Sequence, residues 1–174
     1  MKPGQTLILL PAEWHDYGRF KPLCCVDTLP FPAGTGHCWT AMVVTQDEII
    51  RPDAGFIGYT YAFRNNPVRP TALPDWPRKS RLGQMTYLNR YVRQLSRVMV
   101  RPDCRGQGIA SEIVRRTLLM MAVPYIECLT FTASIAAILQ KCGFIDHGQT
   151  SGLHCDYWLY TRPMADDVIR PAEA

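Results

Sequence analysis

The chain has 174 residues, 47% of them hydrophobic and 20% charged, with a formal net charge of +4. That is enough for one domain with a substantial core and too little for two of ordinary size. The composition is that of a soluble globular protein, and it excludes a membrane-spanning helix, since the longest apolar run, Leu118 to Val123, falls far short of a span.

In chain order, "TLILLP" (6–11) predicts a first strand. It is too short for a signal-peptide core and ends at a proline without a cleavage pattern. Residues 12–37 read as irregular, broken by Pro22, Pro30, Pro32, Gly34 and Gly36, with room for one short helix around "AEWHDYGRF". "CWTAMVV" (38–44) predicts a strand, "TQDEIIRPDA" a turn, and "GFIGYTYAF" (55–63) the returning strand of a hairpin. Residues 64–94 read as a long basic loop, rich in proline and interleaved with Trp76, Tyr87 and Tyr91; loops of that length inside a domain are functional or disordered. "LSRVMV" (95–100) is a further strand. Ile109, Ala110, Ile113, Val114, Leu118 and Met121 then recur at helical spacing, with Glu112, Arg115 and Arg116 on the other face. "YIECLTF" (125–131) predicts a strand, "SIAAILQKC" (134–142) a short helix stopped by Gly143, and "CDYWLYT" (155–161) the strand that closes the sheet. The expected fold is α/β: one domain over 1–163, a mixed central β-sheet with flanking helices, and a flexible tail over 164–174. The strand-helix-strand unit from 95 to 131 should be parallel with a right-handed crossover. No internal repeat is visible.

Seven cysteines, Cys24, Cys25, Cys38, Cys104, Cys128, Cys142 and Cys155, are odd in number, irregular in spacing and without a CxxC pair. Buried thiols in a reducing, cytoplasmic setting are expected rather than disulfides. Cys24, Cys25, His37 and Cys38 match no standard zinc spacing, so no metal is expected. The charge is uneven. Arg64, Arg69, Arg78, Lys79, Arg81, Arg90, Arg93 and Arg97 stand against one acid, Asp75, so residues 64–97 net +7 and the remainder −3. Such a block suits an anionic partner, nucleic acid included, or is a solvated loop.

The most informative stretch is "VRPDCRGQGIASEIV" (100–114). A helix start leaves backbone N–H groups unpaired and carries partial positive charge. Glycines there let a ligand approach the backbone, and Arg105 adds a cation, so "RGQGIAS" should hold a phosphate or pyrophosphate. A Walker loop needs a lysine and a Ser or Thr after its last glycine; Ile109 and Ala110 stand there instead. A dinucleotide fingerprint needs a third glycine where Ser111 stands. Glu127 lies near the distance of a ribose-binding acid, but the remaining chain leaves no room for the second half of that fold. The plain alternative is that the glycines only make a tight turn.

"VMVRPDCRGQGIASEIV" resembles the acyl-CoA-binding motif of the GNAT N-acetyltransferase superfamily, a V-x-V strand followed by x-P-x-x-R-G-x-G-[IL]-[GA] and an amphipathic helix. Val98, Met99, Val100, Pro102, Arg105, Gly106, Gln107, Gly108, Ile109 and Ala110 match it, and "LQKCGF" resembles the later "YEKLGF" segment. The resemblance covers residues 95–145 and implies a β-α-β acyl-CoA-binding core. It implies that Val98 to Val100 pair with the pantetheine arm, that N–H groups from Arg105 to Ala110, with Ser111 beside them, hold the pyrophosphate of acetyl-CoA, and that an N–H near Met99 polarises the thioester carbonyl. The family's acid is a tyrosine where this chain has Leu139; Tyr125, Tyr157, Tyr160 or water would take its place, with Cys142 near. Glu127 is either a base or one half of a buried salt bridge, with Arg97 as its expected partner. Ser96 and Arg97 lie on opposite faces of a strand, so at most one is expected to reach the cleft. His147 and His154 are expected in surface turns, and His15 with Asp16 in the substrate pocket or an exposed segment. The S-R-V-x-V and Pro-Tyr-x-Glu strands are similar to the Mom-like branch, whose phage Mom protein modifies adenine in DNA. That likeness gives Ser96, Arg97 and Glu127 functional weight and makes 64–97 a nucleic-acid contact, its aromatics stacking on an extruded base. Acetylation of a small-molecule or protein amine, and a CoA-binding module without catalysis, stay open beside it. The expected partners are acetyl-CoA, nucleic acid and a second copy of the chain, with no membrane.

Overall fold

Runs of β-branched and aromatic residues supply the strands β1 Thr6–Ala12, β2 His37–Val44, β3 Ile49–Tyr61, β4 Val92–Val100, β5 Tyr125–Thr130, β6 Ile145–Gln149 and β7 Asp156–Thr161. The helices are α1 Arg69–Ala72, α2 Arg81–Tyr91, α3 Ile109–Met120 and α4 Ala133–Lys141, and a 3-10 helix spans Trp14–Arg19. The computed structural model describes residues 3–20, 36–46, 48–73, 76, 80–150 and 155–163. Its strands form one sheet in the order β1-β2-β3-β4-β5-β7-β6. Neighbours are antiparallel except β4 and β5, which run parallel as expected of strands joined by a crossover helix.

Alternation along the strands sorts the two faces of the sheet. On one face, Leu95, Ile126 and Cys128 pack with Ile113, Val114 and Leu118 of α3 and Leu139 of α4. The aliphatic side chains of α3 contribute about 1.5–3 kcal/mol each on burial. On the other face, Phe56 and Met99 pack with Tyr17 and Phe20 at the 3-10 helix. Beside them Val92, Tyr157 and Leu159 pack with Leu73, Trp76 and Leu88 from α1, α2 and the segment between them.

Three sequence expectations change here. The segment 64–94 is not one long loop: it carries α1 and α2, and β4 begins at Val92. Helix α2 starts where the Ser80 hydroxyl accepts from Gly83 N at 3.2 Å, and it buries only Tyr87 and Leu88. Two buried positions in eleven leave almost no periodic signal to read. Strand β6, "IDHGQ", has no buried residue and so no alternation of apolar side chains; it forms an edge outside β7, which is therefore not the last strand of the sheet. His147 accordingly lies in β6, with its ring centroid 6.1 Å from that of Tyr157, and not in a turn. Cys24, Cys25, Arg78, Lys79, His154 and the tail 164–174 lie outside the described residues. Cys38, Cys104, Cys128, Cys142 and Cys155 are free and buried. No described helix is long and apolar enough to cross a membrane.

The salt bridge expected for Glu127 exists, but its partner is Arg69 and not Arg97. Arg69 NH2 lies 2.7 Å from Glu127 Oε1 and Arg69 Nε 3.0 Å from Oε2, with both side chains almost wholly buried. The Tyr157 hydroxyl donates to Oε2 at 3.1 Å. The rest of the guanidinium donates to the carbonyls of Arg64 at 3.0 Å and Phe63 at 2.6 Å, and its carbon lies 5.3 Å from the centroid of the Trp76 ring. Burial pushes the Glu127 carboxyl up from its ordinary value, while the Arg69 charge and the two hydrogen-bond partners oppose that shift. One residue thus ties the segment after β3 to the centre of the sheet. Arg69→Met, which leaves the carboxylate buried without its cation, should lower stability by about 3–5 kcal/mol in urea unfolding. The double variant Arg69→Met/Glu127→Leu should recover most of that loss. Equal loss in both variants would show that packing around the pair, and not its charge, holds the segment.

Candidate functional site

Strands β4 and β5 pair over only three positions, Val92 with Tyr125, Arg93 with Ile126 and Gln94 with Glu127. Beyond that point they separate, and a cavity of about 690 Å³ opens between them. Its walls are β4 from Leu95 to Val100, the end of β5 with Thr130 to Thr132, the loop and first turn of α3, and Ser134, Ile135, Ile138 and Lys141 of α4. Ligand sites in α/β sheets form outside the carboxyl ends of parallel strands, where backbone has no further strand to pair with.

The loop at the mouth has the geometry its glycines predict. Gly106 and Gly108 have φ of +74° and +77°. Gly108 is the N-cap of α3, and Glu112 N donates back to its carbonyl at 3.1 Å. A side-chain carbon placed on either glycine would meet nothing within 4 Å. The glycines therefore answer to backbone conformation and not to packing, and the space above the loop is open. The first N–H groups of α3 have no partner within the helix. Arg105 is exposed and donates from Nε to the Val100 carbonyl at 3.1 Å, which ties the loop to the end of β4.

Of the sequence-predicted cofactor residues, Val98, Met99, Val100, Arg105, Gly106, Gly108, Ile109, Ala110 and Ser111 line the cavity. Gln107 does not; its side-chain amide turns back to the Asp103 carbonyl at 3.4 Å. Both Ser96 and Arg97 border the cavity, as does every residue from Leu95 to Val100, because β4 leaves its edge unpaired there. Strand β4 is also irregular at this point. Gly58 pairs with Arg97 and Tyr59 with Leu95, so Ser96 is an extra residue and the strict alternation breaks there. Ser96 Oγ is hydrogen-bonded to Thr60 Oγ1.

The predicted acid and base residues are not brought to the cavity. Glu127 is held by Arg69 on the opposite face of β5 from Cys128. Tyr125 stacks beside Tyr87, with ring centroids 6.3 Å apart, in the cluster under α2. Tyr157 is committed to Glu127, and burial pushes its hydroxyl well up from the ordinary tyrosine value. Tyr160 packs on Phe144 at 5.5 Å. Leu139 is fully buried in the main core. Cys142 is also buried and donates from Sγ to the Ser111 carbonyl at 3.4 Å, joining α4 to α3. His15 is exposed beside Glu13, its Nδ1 3.1 Å from that carboxylate. Two thiols line the cavity, Cys104 and Cys128; burial pushes both up, Cys128 to about 12 with the Glu127 charge adding to the shift, so both stay neutral. Among the described residues the lining holds three cations, Arg97, Arg105 and Lys141, and no carboxylate or histidine. Lys141, Ser134 and Thr130 carry no motif in the sequence; only their place at the open end of β5 and on α4 marks them.

No family model matches the chain, and no curated protein matches it in sequence. Solved structures do match in fold. Aminoglycoside acetyltransferase AAC(6')-Ib in complex with coenzyme A superposes with a TM-score of 0.57 at 12% identity, covering 90% of this chain and 95% of that one. NAA60 of Arabidopsis thaliana in complex with acetyl-CoA gives 0.52 at 17% identity, covering 90% and 98%. The spermidine/spermine N-acetyltransferase SpeG of Vibrio cholerae gives 0.52 at 12% identity, covering 88% and 92%. The chain has the GNAT fold: a single α/β domain with a seven-stranded mixed sheet and flanking helices.

Because both loop glycines occupy the left-handed region, Gly106→Ala and Gly108→Ala should each cost about 1–2 kcal/mol of stability despite the open space around them. Urea unfolding measures this. A cost near zero would mean that the loop relaxes to another conformation without its glycines.

Proposed function

We propose that this chain is an N-acyltransferase that moves an acyl group, acetyl in the simplest case, from acyl-CoA to an amine. The observation that carries this reading is the meeting of the β4–β5 gap with the glycine loop at the start of α3. The loop offers backbone N–H groups, the positive end of a helix and Arg105, which together suit a pyrophosphate. Along Val98 to Val100, β4 has no strand partner on the β5 side, so its backbone suits the amides of a pantetheine arm added like a strand. The acetyltransferase neighbours crystallised with coenzyme A or acetyl-CoA support the same assignment.

Acetyl-CoA would supply an acyl thioester already activated for transfer. The chain's part is to bind and align. A backbone N–H near Met99 donates to the thioester carbonyl as negative charge builds on its oxygen. The walls of the gap hold the amine nitrogen against the carbonyl carbon. A carbon–nitrogen bond forms, the carbon–sulfur bond breaks, sulfur leaves as thiolate and the amine loses one proton. With Leu139 in the core and no tyrosine, histidine or carboxylate among the described lining residues, that proton leaves the amine and reaches the thiolate by way of water.

For the acceptor we carry forward a nucleobase in DNA, in line with the Mom-like resemblance. Its support is the basic segment 64–97. Arg64, Arg81 and Arg90 are exposed, and the Arg93 guanidinium lies 4.4 Å from the centroid of the exposed Tyr61 ring. Arg69 leaves this set because it is consumed by Glu127. A small-molecule amine is the second reading; the neighbours named for aminoglycoside and for spermidine and spermine favour it. A CoA-binding module without catalysis is the third, favoured by Leu139.

Calorimetric titration with acetyl-CoA should show binding to the wild-type protein and none to Gly108→Glu, which sets bulk and negative charge in the anion site. Unchanged affinity in that variant would remove the loop from the cofactor site. Release of free CoA thiol with an amine acceptor separates the enzyme from the silent module. Neutralising Arg78, Lys79 and Arg81 together should weaken retention on DNA and flatten its dependence on salt. Unaltered retention would take DNA out of the proposal.

A further inference from the structure

Arginines that are wholly or partly buried normally have an anion or carbonyls to satisfy them. In this chain Arg69 has Glu127 and two carbonyls, Arg116 has Glu112 and the Leu7 carbonyl, and Arg162 has the Met121 carbonyl. Arg97, like Arg162, has one carbonyl, and it differs in a buried Nε that has no acceptor among the described residues. It is half-buried, and it has no carboxylate within ion-pair distance among the described residues. One terminal nitrogen donates to the neighbouring Ser96 carbonyl at 2.7 Å, and Nε is buried with no hydrogen-bond partner among the described residues. The guanidinium carbon lies 5.7 Å from the centroid of the Tyr17 ring, which orients the group without neutralising it.

Its position makes the unsatisfied charge meaningful. Arg97 lines the cavity three residues past the last β4–β5 pair, next to the extra residue Ser96. Bulges re-aim side chains beside active sites. Arg97 shares its face of the sheet with Met99, Phe56 and Tyr17, whereas the glycine loop and α3 lie on the other face. Phosphates bound at the loop are met there by Arg105, so they leave Arg97 unsatisfied. Its place in the strand is two residues, about 7 Å, from Met99, whose N–H was assigned to the reacting carbonyl.

On the acyltransferase reading, we infer that Arg97 is an acceptor-binding residue that takes a carboxylate or phosphate carried by the acceptor a few bonds from its reacting amine. A planar guanidinium with open N–H groups suits either anion. The same cation disfavours an acceptor with a second ammonium group near its amine, as in polyamines.

The test uses full-length protein saturated with CoA, so that the loop is filled, and two matched pairs of probes. One pair is 4-aminobenzoate and 4-aminobenzamide; the other is deoxyadenosine 5′-monophosphate and deoxyadenosine. Calorimetry should show the anionic member of at least one pair binding at least tenfold more tightly than the neutral member. The pair that shows it tells carboxylate from phosphate. Arg97→Gln should abolish the preference and Arg97→Lys should keep part of it, while CoA affinity stays at the wild-type level in both. CoA binding without any preference in the wild type, or a preference that survives in Arg97→Gln, would overturn the assignment of Arg97 and leave the acyltransferase reading standing. Absence of CoA binding to the wild-type protein would overturn that reading and this inference with it.

Discussion

The parallel pairing of β4 and β5 stops after three residue pairs, and the rest of the molecule is arranged around that stop. A sheet that stayed paired to its end would have no cavity and no backbone left over. Here the paired half is secured and the open half is lined. At the closed end Glu127 sits opposite Gln94 and is gripped by Arg69, which in turn holds the carbonyls of Phe63 and Arg64. At the open end the extra residue Ser96 breaks the alternation of β4, and α3 and α4 wall the space.

This division accounts for the two fates of charged residues near the centre of the sheet. Glu127 reads in sequence as either a base or half of a buried salt bridge, because a carboxylate within an apolar strand is costly without a partner. In the structure three hydrogen bonds from Arg69 and Tyr157 satisfy it, and none of these three residues lines the cavity. Arg97, three residues into the open half of β4, has the opposite surroundings. It has an aromatic ring, one carbonyl and a buried Nε without an acceptor among the described residues. A satisfied charge holds a fold together, and an unsatisfied one is available to a ligand.

The described cavity lining carries only positive charge, and its two thiols, Cys104 and Cys128, are held neutral by burial. On the proposed acyltransferase reading, such a site would work by alignment and by dipoles more than by proton transfer through side chains. Attack on an activated thioester suits it, because proximity and stabilisation of the carbonyl oxygen account for much of the acceleration such reactions need. Leu139, buried where the family resemblance leads one to look for a tyrosine, belongs to the same pattern.

The sequence by itself determined the elements whose signal is local. The glycine loop, the amphipathic α3, the strands β1, β2, β5 and β7 and the free cysteines follow from spacing and composition, because left-handed glycines and a one-sided apolar stripe are properties of neighbouring residues. Tertiary structure alone decided what depends on residues far apart in the chain. Arg69 and Glu127 are 58 residues apart, and nothing in either neighbourhood marks them as partners. Strand β6 has no apolar alternation and exists only because β7 offers it an edge. Helix α2 buries two side chains and is held by its cap and by β4. The extra residue at Ser96 appears only when β4 is laid against β3. Charge shows the same limit: a run of arginines is visible in sequence, but which of them is buried, which is paired and which is left without a partner is settled by packing.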